Sequence, residues 1–185
     1  MKRRQIAIPG IVIITGEVQQ GKTTFAENIV INLKKQDYKI AGFLSVGIHK
    51  KGERIGYNLF DISTSQQIKL CKSTGNERSV KIGRYFFNPK GLEKGFEILK
   101  SDNLSGKQLV VIDEIGPLEL NDQGWCNAIE EICWTNSVPQ LWIVRSGIVD
   151  KVIKKWNLGN VYVFNITEHS VEVVQNKLIE IITAK

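Results

Sequence analysis

Residues Gly16-Glu17-Val18-Gln19-Gln20-Gly21-Lys22-Thr23 spell the pattern G-x-x-x-x-G-K-[ST], directly after the apolar run Ile11-Val12-Ile13-Ile14 and directly before a helix-like stretch. A buried strand, a glycine-bounded loop and a helix, in that order, form the setting that a phosphate-binding loop of the Walker A type requires. The glycines turn the chain without a Cβ, so successive backbone N–H groups can face phosphate oxygens, and the following helix adds its positive end. On this reading Gly16, Glu17, Val18, Gln19, Gln20, Gly21, Lys22, Thr23 and Thr24 cradle the phosphates of a nucleotide. Lys22 neutralises the β- and γ-phosphates, and the Thr23 hydroxyl is the protein ligand of a Mg²⁺ that bridges them.

Leu109-Val110-Val111-Ile112-Asp113-Glu114 supplies the second element. Four apolar residues in a row, three of them β-branched, suit a parallel strand covered on both faces. Asp113 is expected at its carboxyl end, where α/β sheets bind ligands, and there it would hold the metal's water shell. Glu114 then stands beside the metal, placed to orient or deprotonate an attacking water.

At 185 residues and 42% hydrophobic content, the chain is expected to be a single α/β domain over residues 1–185. No apolar run approaches the roughly 18 residues that span a bilayer, and Met1-Lys2-Arg3-Arg4-Gln5 leads into only a short apolar stretch. Three cysteines without paired spacing fit a reducing compartment, so a cytoplasmic protein with no membrane partner is expected. The net charge of +6 raises a nucleic-acid partner, but Lys34-Lys35, Lys50-Lys51 and Lys154-Lys155 are scattered pairs without interleaved aromatic residues. Nucleic acid is not favoured, because a solvated surface together with a small anionic ligand accounts for the charge about as well. His49 and His169 lie far apart, with no cysteine spacing around them that would suggest zinc.

Along the chain, Ile11–Thr15 reads as the first strand and Lys22–Gln36 as a helix with Phe25, Ile29 and Leu33 on one face. Tyr38–Leu44 reads as a second strand closed by Ser45 and Gly47. Short alternating segments at Arg54–Asp61, Gln66–Leu70 and Lys81–Phe87 predict an antiparallel meander inserted at about residues 50–90, with a mobile polar loop at Lys72–Ser79. Helices are expected at Gly91–Ser101, Gln123–Thr135, Gly147–Trp156 and Glu168–Ile182, the last capped by Thr167. Strands are expected at Gln140–Val144 and Val161–Phe164. Cys126, Cys133, Trp125, Trp134, Trp142 and Trp156 read as core. Arg84 reads as one half of a surface salt bridge.

The chain also resembles the nucleoside-triphosphatases first described from thermophiles, a family that includes a human cancer-related homologue. The resemblance rests on Thr15-Gly16 through Gly21-Lys22-Thr23-Thr24, on Gly42-Phe43, on Arg54-Ile55-Gly56-Tyr57, on Gly83-Arg84-Tyr85, and on the distinctive Ile112-Asp113-Glu114-Ile115-Gly116-Pro117-Leu118-Glu119-Leu120. It implies Mg²⁺-dependent hydrolysis of ATP, GTP, CTP and UTP to diphosphate and phosphate. It also implies a P-loop NTPase fold with a RecA-like, mostly parallel sheet in the order 5-1-4-3-2. In that order Arg145 and Ser146 fall near the γ-phosphate, with Arg145 as a catalytic arginine beside Glu114 and Lys22.

Two departures stand out. Val18-Gln19-Gln20 replaces the small residues common in the family's loop, and Val46-Gly47-Ile48 replaces an acidic-Val-Arg triplet, so that arginine's role does not carry over. Two other readings stay open: a kinase acting on a nucleotide or small hydroxyl acceptor, with Lys72–Arg84 as its lid, and a nucleotide-dependent switch or assembly factor.

Overall fold

A computed structural model describes residues 10–75, 78–135 and 138–184, with the backbone alone at 134 and 135. The charged start Met1–Gln5, the Trp134 side chain and part of the loop expected at Lys72–Ser79 lie outside the described residues. In chain order the elements are β1 (Ile11–Gly16), α1 (Lys22–Lys34), β2 (Ile40–Lys50), β3 (Glu53–Asp61), β4 (Gln67–Lys72), β5 (Val80–Ile82), β6 (Tyr85–Phe87), α2 (Pro89–Ile98) and α3 (Ser101–Leu104). There follow β7 (Leu109–Ile115), α4 (Pro117–Leu120), α5 (Cys126–Thr135), β8 (Gln140–Arg145), a 3-10 turn at Ser146–Ile148, α6 (Val149–Lys155), β9 (Val161–Asn165) and α7 (Val171–Thr183).

All nine strands join one sheet in the order β5-β6-β4-β3-β2-β7-β8-β1-β9. The five from β2 to β9 pair in parallel. Numbered among themselves they run 2-3-4-1-5, which is the order the family resemblance implied. Their continuous apolar sequences follow from burial on both faces. Ile11, Ile13, Val110, Ile112, Trp142 and Val144 point to a core shared with α2, α3, α5 and α6. The alternate residues Val12, Ile14, Leu109, Val111, Leu141 and Ile143 point to a second core under α1 and α7. Among the described residues no helix is long and apolar enough to cross a membrane.

The meander extends the same sheet, its strands pairing antiparallel outward from β2. Its last segment is two strands, because the chain turns at Gly83, which takes a φ of 56°. Strand β2 does not close at Ser45 and Gly47 as expected. It parts from β7 after Phe43 and continues to Lys50 against β3, so pairing overrides the local turn signal. The carboxyl-terminal helix starts later than expected, with Ser170 as its cap: the Ser170 hydroxyl accepts from the Val173 amide at 3.3 Å. Thr167 instead donates its hydroxyl to Asn165 Oδ1 at 2.9 Å, in the turn before the helix. The short helix α4 was not foreseen. Trp125, Trp142, Trp156, Cys126 and Cys133 are all buried.

Gly42 marks the tightest packing of the sheet. It has a φ of 105°, and a Cβ there would lie 1.9 Å from the Val111 carbonyl oxygen on β7. Neither backbone can yield without breaking the ladder that carries Asp113. Gly42→Ala is expected to cost about 3 kcal/mol or more, read as a large fall in the urea midpoint. Gly106→Ala, also at positive φ but with open space around it, should cost far less.

Candidate active site

A cavity of about 340 Å³ opens where the loop after β1 faces the carboxyl ends of β7 and β8, lined by Gln19 through Thr24, Asp113, Glu114 and Arg145. The loop turns into α1 through Gly21, whose φ of 93° is a left-handed value that glycine adopts without strain. α1 therefore aims its free N–H groups into the cavity.

The loop satisfies itself internally. Lys22 Nζ donates to the Gly16 and Glu17 carbonyl oxygens at 2.9 and 2.6 Å. Gln20 folds back so that its Oε1 accepts the Glu17 amide at 2.7 Å. That amide is one of the donors a phosphate would use, so the departure at Gln20 has a physical consequence: its side chain competes for the cradle. Burial pulls the Lys22 amine below its ordinary value, opposed first by the charge of Glu114.

Asp113 is buried, with 1% of its surface exposed. Burial and the neighbouring Glu114 charge push its carboxyl up to about 7, against hydrogen bonds from the Ser45 amide and the Thr23 hydroxyl and the charge of Lys22. The Ser45 amide lies 3.0 Å from Asp113 Oδ2, and the Ser45 hydroxyl donates to the Asp113 carbonyl oxygen. A buried carboxylate beside a threonine hydroxyl is a hard-oxygen pair that suits a divalent magnesium ion, whose charge would offset the cost of ionising Asp113.

Glu114 would ordinarily point to the opposite face from Asp113. The β7–β8 register, however, passes from Asp113↔Ile143 to Ile115↔Val144, leaving Glu114 as an extra residue in a bulge. Bulges of this kind re-aim side chains beside sites, and here both carboxylates line one cavity. Arg145 Nε donates to Glu114 Oε1 at 2.6 Å, which raises the guanidinium's pKa further. The two residues expected to act separately on a γ-phosphate and a water are thus paired. The Ser146 hydroxyl donates to Glu17 Oε1 in the loop.

The meander strand at Arg54–Asp61 is as expected, but no sequence signal places the hairpin of β2 and β3 at this cavity. Ser45, His49, Arg54 and Tyr57 line the same cavity. Arg54 Nη1 donates to the Tyr57 hydroxyl at 3.0 Å, while its Nε is buried with no hydrogen-bond partner. Arg54 and Tyr57 stand in a block noted for its resemblance, but no spacing rule attached them to the loop. Arg84, expected in a salt bridge, instead donates to the Tyr85 hydroxyl at 2.6 Å, with its guanidinium 4.8 Å from the ring centre.

The sequence profile of the NTPase family matches residues 11–179. The chain belongs to that family. Among curated relatives it is 38% identical to the nucleoside-triphosphatase THEP1 of Saccharolobus solfataricus over 109 residues, which span 59% of this chain and 61% of the relative. It is 27% identical to the nucleoside-triphosphatase THEP1 of Methanocaldococcus jannaschii over 91% of this chain and 96% of the relative. The resemblance read from the motifs therefore holds. Two solved structures share the fold, each at a TM-score of 0.70 over 94% of this chain: a human cancer-related nucleoside triphosphatase at 23% identity, covering 97% of it, and THEP1 from the hyperthermophile Aquifex aeolicus at 21%, covering 99%.

Gln20→Ala frees the Glu17 amide for an incoming phosphate. Calorimetric titration should show nucleotide affinity rising about fivefold, the equivalent of one neutral hydrogen bond of about 1 kcal/mol. An unchanged or weaker affinity would mean that Gln20 does not compete.

Proposed function

We propose that this NTPase-family chain is a magnesium-dependent enzyme working as one domain, hydrolysing nucleoside triphosphates, ATP, GTP, CTP and UTP among them, to diphosphate and phosphate. The observation that carries the reading is the convergence, in one cavity, of the Lys22 loop, the buried Asp113 and the bulged Glu114.

In this reading the phosphate chain runs along the amides of Gly16 to Thr24, with its γ end toward Glu114, Arg145 and Asp113, whose charges all act on Lys22. Thr23 and Asp113 would hold the magnesium ion, which would offset the negative charge developing on the phosphate oxygens. Lys22 leaves the loop carbonyls for the β- and γ-phosphates. Arg145 swings from Glu114 to the γ-phosphate, where it stabilises transition-state charge and releases the carboxylate. Glu114 then accepts the proton of the water that attacks γ-phosphorus.

Arg54 adds a cation from across the hairpin, in a chain that lacks an arginine at residues 46–48. A buried guanidinium nitrogen without a partner is costly, and a phosphate oxygen is the acceptor it fits.

Glu114→Gln keeps the shape and removes the base, so it should bind nucleotide normally while turnover falls about 10²–10⁴-fold. Full activity in that variant would remove the assigned role, and EDTA should abolish wild-type turnover. Arg54→Ala should raise KM for triphosphates about tenfold, as expected for a hydrogen bond to a charged group, with a smaller effect on diphosphate binding. An equal loss for both ligands would place Arg54 away from the γ-phosphate.

A further inference from the structure

Beyond Glu114 and Arg145 lies a second cavity of about 570 Å³, which shares Ser45, Tyr57, Glu114 and Arg145 with the first. A hydrolase needs room for one water, about 30 Å³ of liquid volume. The annex instead has the size of a small-molecule site.

Its position argues against the base of the bound triphosphate. In a loop of this kind the lysine reaches the β- and γ-phosphates, and Glu114, Arg145 and Asp113 are the nearest strand-end charges acting on Lys22, beside Glu17 of the loop itself. Glu114 and Arg145 line the annex as well as the first cavity, whereas the loop residues Gln19 to Thr24 line only the first, which on the reading above puts the annex at the γ end. The ribose and base attach at the opposite, α end of the chain. With the phosphates placed as in that reading, a molecule in the annex would meet γ-phosphorus from the side away from the leaving diphosphate, the direction of an in-line nucleophile.

The walls indicate its chemistry. Tyr57, Tyr85, Phe87 and Trp125 line it. Tyr57 and Tyr85 meet edge to face at 5.5 Å, and Trp125 is fixed by its indole N–H on the Leu92 carbonyl at 3.0 Å. Aromatic walls of this kind stack planar rings. Asn121 and Gln123 add amide groups to the lining, the first already giving its nitrogen to the Pro117 carbonyl oxygen at 2.7 Å and keeping its oxygen as an acceptor, the second bearing both donor and acceptor atoms. Arg84 hangs over Tyr85 from the tip of the β5–β6 hairpin. Planar ring, hydrogen-bonding edge and a hydroxyl within reach of Glu114 together describe a nucleoside.

We infer that the annex binds a nucleoside as phosphoryl acceptor, so that the enzyme transfers the γ-phosphoryl group to a nucleoside hydroxyl as well as to water. The inference rests on the triphosphatase reading above, since it uses the same loop and the same base. The acceptor oxygen bonds to γ-phosphorus as the bond from γ-phosphorus to the β–γ bridging oxygen breaks. The electron pair leaves with the nucleoside diphosphate, and the hydroxyl proton passes to the Glu114 carboxylate. The products are a nucleoside monophosphate and a nucleoside diphosphate.

The test incubates the full chain with magnesium and γ-labelled ATP in the presence of each common ribo- and deoxyribonucleoside, and separates labelled phosphate from labelled nucleoside monophosphate. Label is expected on at least one nucleoside. The ratio of transfer to hydrolysis should fall about tenfold in Tyr85→Ala, which removes one stacking face. Leu118→Trp, which fills the annex from its wall, should lower the same ratio without deleting a strand residue. Hydrolysis with no label on any nucleoside overturns the acceptor site and leaves the hydrolase standing. Neither hydrolysis nor transfer overturns both. Transfer whose ratio is untouched by both variants overturns the annex as its location.

Discussion

The hydrogen bonds between Ser45 and Asp113 are the point on which the rest of the site depends. β2 pairs with β7 only from Ile40 to Phe43, then leaves it to run against β3. A sheet that forks in this way loses ladder bonds at the fork. Here Ser45 replaces them, its amide on the Asp113 carboxylate and its hydroxyl on the Asp113 carbonyl oxygen. The fork opens the space in which phosphates could lie, and the same two bonds hold the carboxylate at its floor. Beyond the fork, β2 carries the β3 hairpin that delivers Arg54 and Tyr57 over the cavity. One serine therefore ties the geometry of the buried Asp113 carboxylate to that of the cations above it.

Electrostatically, the inner part of the cavity sets the Asp113 and Glu114 carboxylates against Lys22, Arg54 and Arg145, all partly or wholly removed from water, with the exposed Glu27 at its edge. Burial moves the Lys22 amine and the Asp113 carboxyl toward their neutral forms, each opposed by the charge of the other. Glu114 and Arg145 resolve the same problem by pairing directly at 2.6 Å. The pair is half-exposed, with 25% and 41% of the side chains accessible. Solvent screening makes such a bond cheap to exchange for another partner. Lys22 is likewise held by neutral carbonyls rather than by a carboxylate. A triphosphate and its metal ion bring the missing counter-charges of both signs. The site is thus arranged so that its internal bonds are weaker than those its proposed ligand would make.

What the sequence disclosed follows from how local each signal is. The loop from Gly16 to Thr24 is contiguous, its glycines and lysine stand at fixed offsets, and flanking apolar runs identify strand and helix from a few neighbours. The β-branched run before Asp113 is equally local. Strand order is not, and it came through resemblance to a family. The extension of β2 through Ser45 and Gly47 could not be read, because those residues carry turn signals that antiparallel pairing with β3 overrides. Nor could the role of Arg54, which enters the cavity from a hairpin more than 30 positions from Lys22 and whose alternating pattern reads the same in any meander. Gln20 shows the converse: its departure from small residues was visible, but its fold-back onto the Glu17 amide is a tertiary fact.

The block from Asp113 to Leu120 gains its meaning from the wall between the two cavities. The bulge turns Glu114 out of the strand's alternation, and the chain must then leave the sheet without collapsing into the opening. Glu119 provides the brace. Its buried carboxylate accepts the Gly116 amide at 3.0 Å and the Trp125 amide at 3.3 Å, closing α4 as a single turn and fixing Trp125 immediately before α5. Those amide bonds oppose the upward push of burial on the Glu119 carboxyl. Trp125 in turn packs against Phe43 with ring centres 4.5 Å apart, one residue from Gly42 at the close contact of β2 and β7. The acidic residue between two leucines is therefore structural, and its effect is to hold Glu114 at the boundary of both cavities. On the proposed reading, a carboxylate fixed there would accept a proton from a nucleophile on the annex side while facing the phosphates on the other, and the wall, rather than either cavity alone, would be the unit that the motif encodes.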